Sequence, residues 1–349
     1  GCRNPVLSAE ISTSRSTMAG AAFGTLTLAC WSSVPLFLEY FTQLTDPWTM
    51  NGWRYTFSAA VWLPFLLYAY WRGRLPNGLW RLALVPSLVN CVGQTCFAHA
   101  PYYIEPGLLT FMLRFQIVFV AFGAYVLFPA ERDVIRNPRF WVGASLAFFG
   151  SLGVAMLGQS FPTGRTLTGM ILGVMAGLGF GGYSMSVRYY MRSINPILAF
   201  AMISIMTSCV LISLMFMLGR DGGVEPLYFP WQQFMLLMLS ALIGIALSHV
   251  SYYAAMARLG VTVAAGLILL QPFMTSLGSF FLFQERLTIA QWASGVGAVV
   301  GAGLMLLTQR AVMRNRQLAQ VDASSDRQSE HGASSMESVR PKIEVGTAD

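Results

Sequence analysis

The sequence predicts an all-α membrane protein: ten transmembrane helices arranged as two inverted five-helix repeats. Three observations carry that expectation. Apolar residues make up 55% of the chain and charged ones only 11%, where a soluble domain has about a quarter of its residues charged. Apolar runs recur from Met18 to Thr308, each of the roughly 20 residues needed to cross ~30 Å of hydrocarbon. The chain also repeats itself: His99-Ala100-Pro101-Tyr102-Tyr103 returns as His249-Val250-Ser251-Tyr252-Tyr253.

The flanks of that motif agree. At a shift of 149, Gly20 and Gly24 fall on Gly169 and Gly173, Tyr40 on Tyr189, and Asp46-Pro47 on Asn195-Pro196. Glu131-Arg132 falls on Glu285-Arg286 at 154, and Trp141 and Gly150 on Trp292 and Gly301 at 151. A repeat this long is a structural half, not a solenoid unit.

Residues 1–17 form a polar N-terminal segment. The first repeat, 18–158, gives helices at about 18–38, 48–71, 82–102, 107–128 and 140–157. The second, 166–308, gives helices at about 167–190, 197–218, 233–256, 261–283 and 289–308. Backbone groups in lipid must bond internally, so these runs are helices. The first is too long for the core of a signal peptide and reads as a retained anchor. The tail, 309–349, is rich in Ser, Gln and charge, and reads as disordered because it has little apolar surface to bury.

Charge placement tests the count. With the N-terminus cytoplasmic, fourteen arginines fall on the cytoplasmic side: Arg3, Arg15, Arg72, Arg74, Arg81, Arg132, Arg136, Arg139, Arg188, Arg192, Arg258, Arg310, Arg314 and Arg316. Arg165, Arg220 and Arg286 alone fall outside. This positive-inside bias puts both termini in the cytoplasm of a cell inner membrane. The basic character therefore speaks for orientation, not for nucleic-acid binding.

An odd number of spans per copy makes the second copy enter the membrane from the opposite side. Inverted repeats of this kind give secondary transporters two interconvertible states around a midplane site. His99 and Tyr103 are expected near the outer rim, and His249 and Tyr253 near the inner rim. Each pair is either a gate or an interfacial anchor for a helix end.

Arg54 and Arg114 lie deep in the hydrocarbon region, at a cost of ~2.5–3.5 kcal/mol each. No acidic residue lies deep in a span; Glu39 and Glu105 stand at the outer rim. A guanidinium fork without a buried carboxylate suits an anionic ligand, although Arg54 could instead pair with Glu39 or helix-end carbonyls. Asn90 and Gln94 share a face of the third helix, opposite His99 and Tyr103. Gln116 and Gln271 hold matching places in the fourth and ninth helices, as ligand contacts or interhelical hydrogen bonds. Pro272 frees the carbonyl of Ile268 and can bend its helix, and Pro35 similarly weakens the first helix beside Trp31. Trp31 and its repeat mate Phe180 are candidates for cavity wall or for lipid-facing packing.

Cys30, Cys91, Cys96 and Cys209 sit in apolar runs without metal-ligand spacing. Gly177 to Gly182 matches GxGxxG, but it lies inside a membrane helix with no preceding strand, so the dinucleotide reading fails. Gly169, Gly173 and Gly177, like Gly297 and Gly301, make small-residue packing faces instead.

Two five-helix copies, Trp31-Ser32-Ser33-Val34-Pro35, Arg54 early in the second helix, and Glu-Arg after the fourth and ninth helices together resemble the EamA-type branch of the drug/metabolite transporter superfamily over about residues 18–308. Arg114 and Gln116 depart from its usual apolar fourth helix. The resemblance implies a ten-helix carrier with a central cavity lined mainly by helices 1, 3, 4, 6, 8 and 9, often exporting amino acids or other metabolites. The expected function is alternating-access export of small metabolites, amino acids or other carboxylate-bearing compounds. The alternative is an intramembrane lipid-modifying enzyme or a flippase for lipid or nucleotide conjugates. Against the enzyme, the spans hold no HExxH, no GxSxG and no carboxylate pair. The expected partners are an anionic or zwitterionic small molecule and membrane lipid, with a homodimer left open, and no cofactor or metal is expected.

Overall fold

The computed structural model describes residues 5–104, 106–157, 166–275, 277 and 288–337 of the 349. Every element in this range is helical. The first half contains α1 (Pro5–Thr42), α2 (Pro47–Trp71), α3 (Leu79–His99), α4 (Pro106–Met112), α5 (Gln116–Leu127), the short α6 (Arg132–Arg136) and α7 (Pro138–Met156). A 3-10 turn, Leu113–Phe115, joins α4 to α5. The second half contains α8 (Thr166–Tyr190), α9 (Pro196–Leu218), α10 (Trp231–Ala241), α11 (Ser248–Leu259) and α12 (Val261–Leu267). A π-helical turn, Leu242–Leu247, joins α10 to α11. After α12 the helical path continues to Thr275, and α13 spans Ile289–Glu337.

Seven helical rods among the described residues are long and apolar enough to cross a membrane, where the sequence reading counts ten spans. The ninth expected helix is followed to Thr275, and apart from residue 277 the rest of it lies outside the described residues, as do Glu105, Glu285 and Arg286. The last helix was expected to end at Thr308 and instead runs on to Glu337. Its transmembrane part is continuous with a polar extension, so helix propagation carries past the point where the apolar signal stops.

Helix starts follow the repeat. Asp46 caps α2, its Oδ1 accepting from the amides of Trp48 and Thr49 at 2.9 and 3.0 Å. Its repeat mate Asn195 caps α9 in the same way, accepting from Ile197 N–H at 2.9 Å. In both, a proline fills the first helical position, where no amide partner is required.

Packing follows the repeat too. α1 lies along α11 and α8 along α3, while α2 packs on α9, α7 on α13, and α5 on both α8 and α12. Exchanging the halves maps the first two pairs onto each other. Close approach at the small residues makes this concrete: a Cβ on Gly20 would come within 2.7 Å of Leu259 Cγ, and one on its mate Gly169 within 2.9 Å of Tyr103 Cβ.

Two apolar clusters result. One, around Phe140, Phe200, Val263 and Met305, fills the part of the molecule holding the α11–α12 junction. The other, around Leu38, Phe41, Leu109 and Leu237, fills the part holding the α1–α2 junction.

The first half also caps a helix of the second. Gly260 takes φ +83° at the α11–α12 junction, a conformation that disfavours side chains. Beside it, Glu131 from the first half is 6% exposed, and its two carboxylate oxygens accept from Val261 and Thr262 N–H, both at 3.0 Å. A carboxylate at a helix N-terminus is favoured by the orphan amides and the helix dipole.

Candidate functional site: a central cavity between the halves

Between the clusters lies a cavity of about 60 Å³, room for a few waters or one small molecule. Both halves line it. Trp31 comes from α1, Arg54 from α2, Gln94 and Phe97 from α3, Arg114 from the 3-10 turn and Gln116 from α5. Phe180, Tyr183 and Ser184 come from α8, Gly244 and Ile245 from the π turn, His249 and Tyr252 from α11, and Gln271 from the helical path after α12.

The backbone breaks explain why polar side chains collect here. Pro35 in α1 has no amide to give to Trp31 O, four residues back, and Pro272 leaves Ile268 O free in the same way. Gln271 Nε2 donates to Trp31 O at 2.8 Å, and Arg114 donates from Nη1 to Ile268 O. Arg114 Nη2 donates to Gln271 Oε1 at 2.7 Å, and Nε donates to Thr110 O at 2.8 Å. One side-chain chain therefore satisfies both proline-freed carbonyls and ties α1 to the helical path after α12. The sequence anticipates the freed Ile268 carbonyl; its occupant, 154 residues away, left no local signal.

Arg54 treats the second break in the same manner. It is 2% exposed, and it donates from Nε to Ser240 Oγ at 3.1 Å and from Nη2 to Ser240 O at 3.4 Å, just ahead of the π turn. The turn's own carbonyls are met by indole N–H groups from the first half, Trp31 on Gly244 O at 3.2 Å and Trp62 on Ala246 O at 3.0 Å. Among the described residues, the ion pairs involve neither Arg54 nor Arg114.

The expected residues separate by position. Arg54, Arg114, Gln116, Gln271, Gln94 and Trp31 surround the one cavity. Asn90 does not line it: it is fully buried in a seam between α2, α3 and α9, donating to Tyr55 OH at 2.9 Å and Thr207 Oγ1 at 3.3 Å. Gln116 is packed where α5 meets α8, near Gly181.

The two His-x-x-Tyr-Tyr motifs are not equivalent in place. His99 is the last residue of α3, bonded through Nδ1 to Thr95 O and set edge-on to Trp48 with centroids 4.4 Å apart. Tyr103 is 39% exposed beyond it. His249, expected near the inner rim, lines the cavity wall, stacked 4.9 Å from Phe200. Past it α11 continues for ten residues before stopping at Leu259. Tyr253 is buried, and its hydroxyl bonds that of Tyr183, a cavity residue. On its other side Tyr253 borders a second crevice with Arg188, Met191 and Arg192. The Tyr183–Tyr253 bond therefore stands between cavity and crevice. Sequence reasoning missed Tyr183 and Ser240, which no motif marked, and passed over Tyr252, which stands inside the repeated motif.

The EamA-like transporter family matches residues 18–156 and again 167–307. The chain belongs to the EamA-like transporter family. The two EamA segments are the two halves whose pairing is described above, and the cavity lies on their shared boundary. None of the curated proteins compared matches the chain. A solved crystal structure of a protein superposes with a TM-score of 0.66 at 14% identity, covering 83% of this EamA chain and 98% of the other. At that identity the likeness concerns the fold.

Proposed function

We propose that the protein is a secondary transporter that moves small carboxylate-bearing metabolites by alternating access, through the cavity between two inverted five-span EamA repeats. The observation that supports it most is the placement of the cavity. It is lined from both halves and bordered by interrupted helices, and the Tyr183–Tyr253 bond closes it toward the Arg188 crevice. Interrupted helices around a midplane site are the usual means of binding cargo in inverted-repeat carriers. Exchange-related packing of α1 on α11 and α8 on α3 favours a two-fold relation between the halves. The arginine distribution favours cytoplasmic termini in an inner membrane.

Tyr253 with Tyr183 then forms the inner gate. The His99–Trp48 contact at the end of α3, with Tyr103 beyond, marks the outer one. Nothing in the comparisons favours the alternative of a lipid-modifying enzyme or a flippase. Counterflow in proteoliposomes is the test. Internal unlabelled cargo should drive uptake of external labelled cargo, and covalent turnover of a lipid without cargo movement would replace this reading with the enzyme.

A further inference from the structure

The cavity carries positive charge that its wall does not cancel. Its described lining includes the guanidinium groups of Arg54 and Arg114 and no carboxylate. A guanidinium has five N–H donors. Arg114 uses three of them, on Thr110 O, Ile268 O and Gln271 Oε1. Arg54 uses two, on Ser240. The remaining N–H groups belong to side chains only 1–2% exposed, and all the present partners are neutral oxygens. Dipoles of carbonyls stabilise such a charge, but an anion does so better, because charge-assisted bonds in a dry site are the stronger ones.

Net charge then discriminates between cargoes of one shape. An organic anion lowers the charge of the occupied cavity. A zwitterion leaves it unchanged and sets its ammonium beside two like charges. An aromatic cage could in principle hold that ammonium. Here the Trp31 ring is already met by His249 at 5.3 Å and Tyr252 at 5.0 Å, so its neighbourhood is filled by side chains. The rest of the wall, Phe97, Phe180 and Leu113, suits a flat apolar body.

Resting on the transporter reading, we propose that this cavity selects small organic anions, a carboxylate on a flat apolar or aromatic skeleton without an amino group, over the amino acid of the same skeleton. The two arginines make the selection by exchanging helix-break carbonyls for the carboxylate.

The experiment uses the full chain, purified and reconstituted, with three probes of nearly equal size: 3-phenylpropanoate, phenylalanine and phenethylamine. Thermal shift and competition binding should rank 3-phenylpropanoate at least about tenfold above phenylalanine, with no response to phenethylamine. Arg114→Gln and Arg54→Gln should each shrink that ratio, and Arg114→Lys should weaken binding while keeping the preference. The ratio of anion to zwitterion reports on charge and not on folding, and the lysine variant serves if a glutamine variant does not fold. Equal or tighter phenylalanine binding, no response to 3-phenylpropanoate, or an unchanged ratio in both glutamine variants overturns the proposal. Counterflow of phenylalanine in preference to the acid keeps transport and ends the charge rule. Selective binding of the acid without any counterflow ends transport and keeps the rule.

Discussion

At the scale of single residues, Asp46 shows how much one side chain organises at a helix start. Burial pushes its carboxyl up, but the hydroxyl and amide of Thr49 and the amides of Arg220 and Trp48 outweigh it and hold the group below its usual range. A depressed carboxylate stabilises the fold above its unfolded value and loses that contribution as pH falls through its folded value. Asp46→Ala is expected to cost about 1 kcal/mol through the lost cap, read as a lower midpoint in chemical unfolding. Asp46→Asn should keep much of the cap and flatten the dependence below the carboxylate range, read as the slope of stability against pH. In the sequence Asp46 and Asn195 stood out only as a matched pair of the repeat, and their shared role as caps shows in the structure. Arg114 was legible only in part. Its depth and lack of a buried carboxylate could be read from the chain, whereas its bonds to Ile268 O and Gln271 depend on a helix half the chain away.

At the scale of elements, the breaks in helices around the cavity are joints held by side chains from elsewhere. Pro272→Ala would return an amide to Ile268 O and compete with Arg114 for that acceptor. The expected outcome is slower counterflow with cargo affinity changed less than rate, measured as separate binding and flux. Trp62→Phe removes the indole donor to Ala246 O in the π turn, a loss of about 0.5–1.5 kcal/mol. Hydrogen exchange across Leu242–Leu247 should rise, and unchanged protection there would show that the turn does not depend on this bond. Helices as apolar runs were plain in the sequence. The π turn was not, since no proline marks it and its stability comes from Trp31, Arg54 and Trp62 in the other half. The unlike settings of the two motifs were hidden for a related reason: a five-residue pattern records spacing along the chain, not that α3 ends at His99 while α11 runs on to Leu259.

At the scale of the whole molecule, the two-gate reading predicts reciprocal motion. Cysteines placed at 103 and 253 should change accessibility in opposite senses when cargo is added, measured by labelling in membranes; constant labelling at both would end the gate assignment. Tyr183→Phe removes one hydroxyl of the pair that separates cavity from crevice. It should raise passive leak through the reconstituted protein while leaving cargo affinity within about threefold, a difference under 1 kcal/mol.

The repeat made the duplication legible at this scale, but it could not reveal that each half completes the other. The carboxylate of Glu131, carried by one half, finishes the first turn of α12 in its neighbour, and Arg114 and Gln271 join the same partners nearer the middle. Cutting the chain in the 158–165 connection and producing either piece by itself would strand those amides and carbonyls in a greasy interior. Neither fragment should therefore persist alone in a cell, while the two made together should reassemble into a working whole.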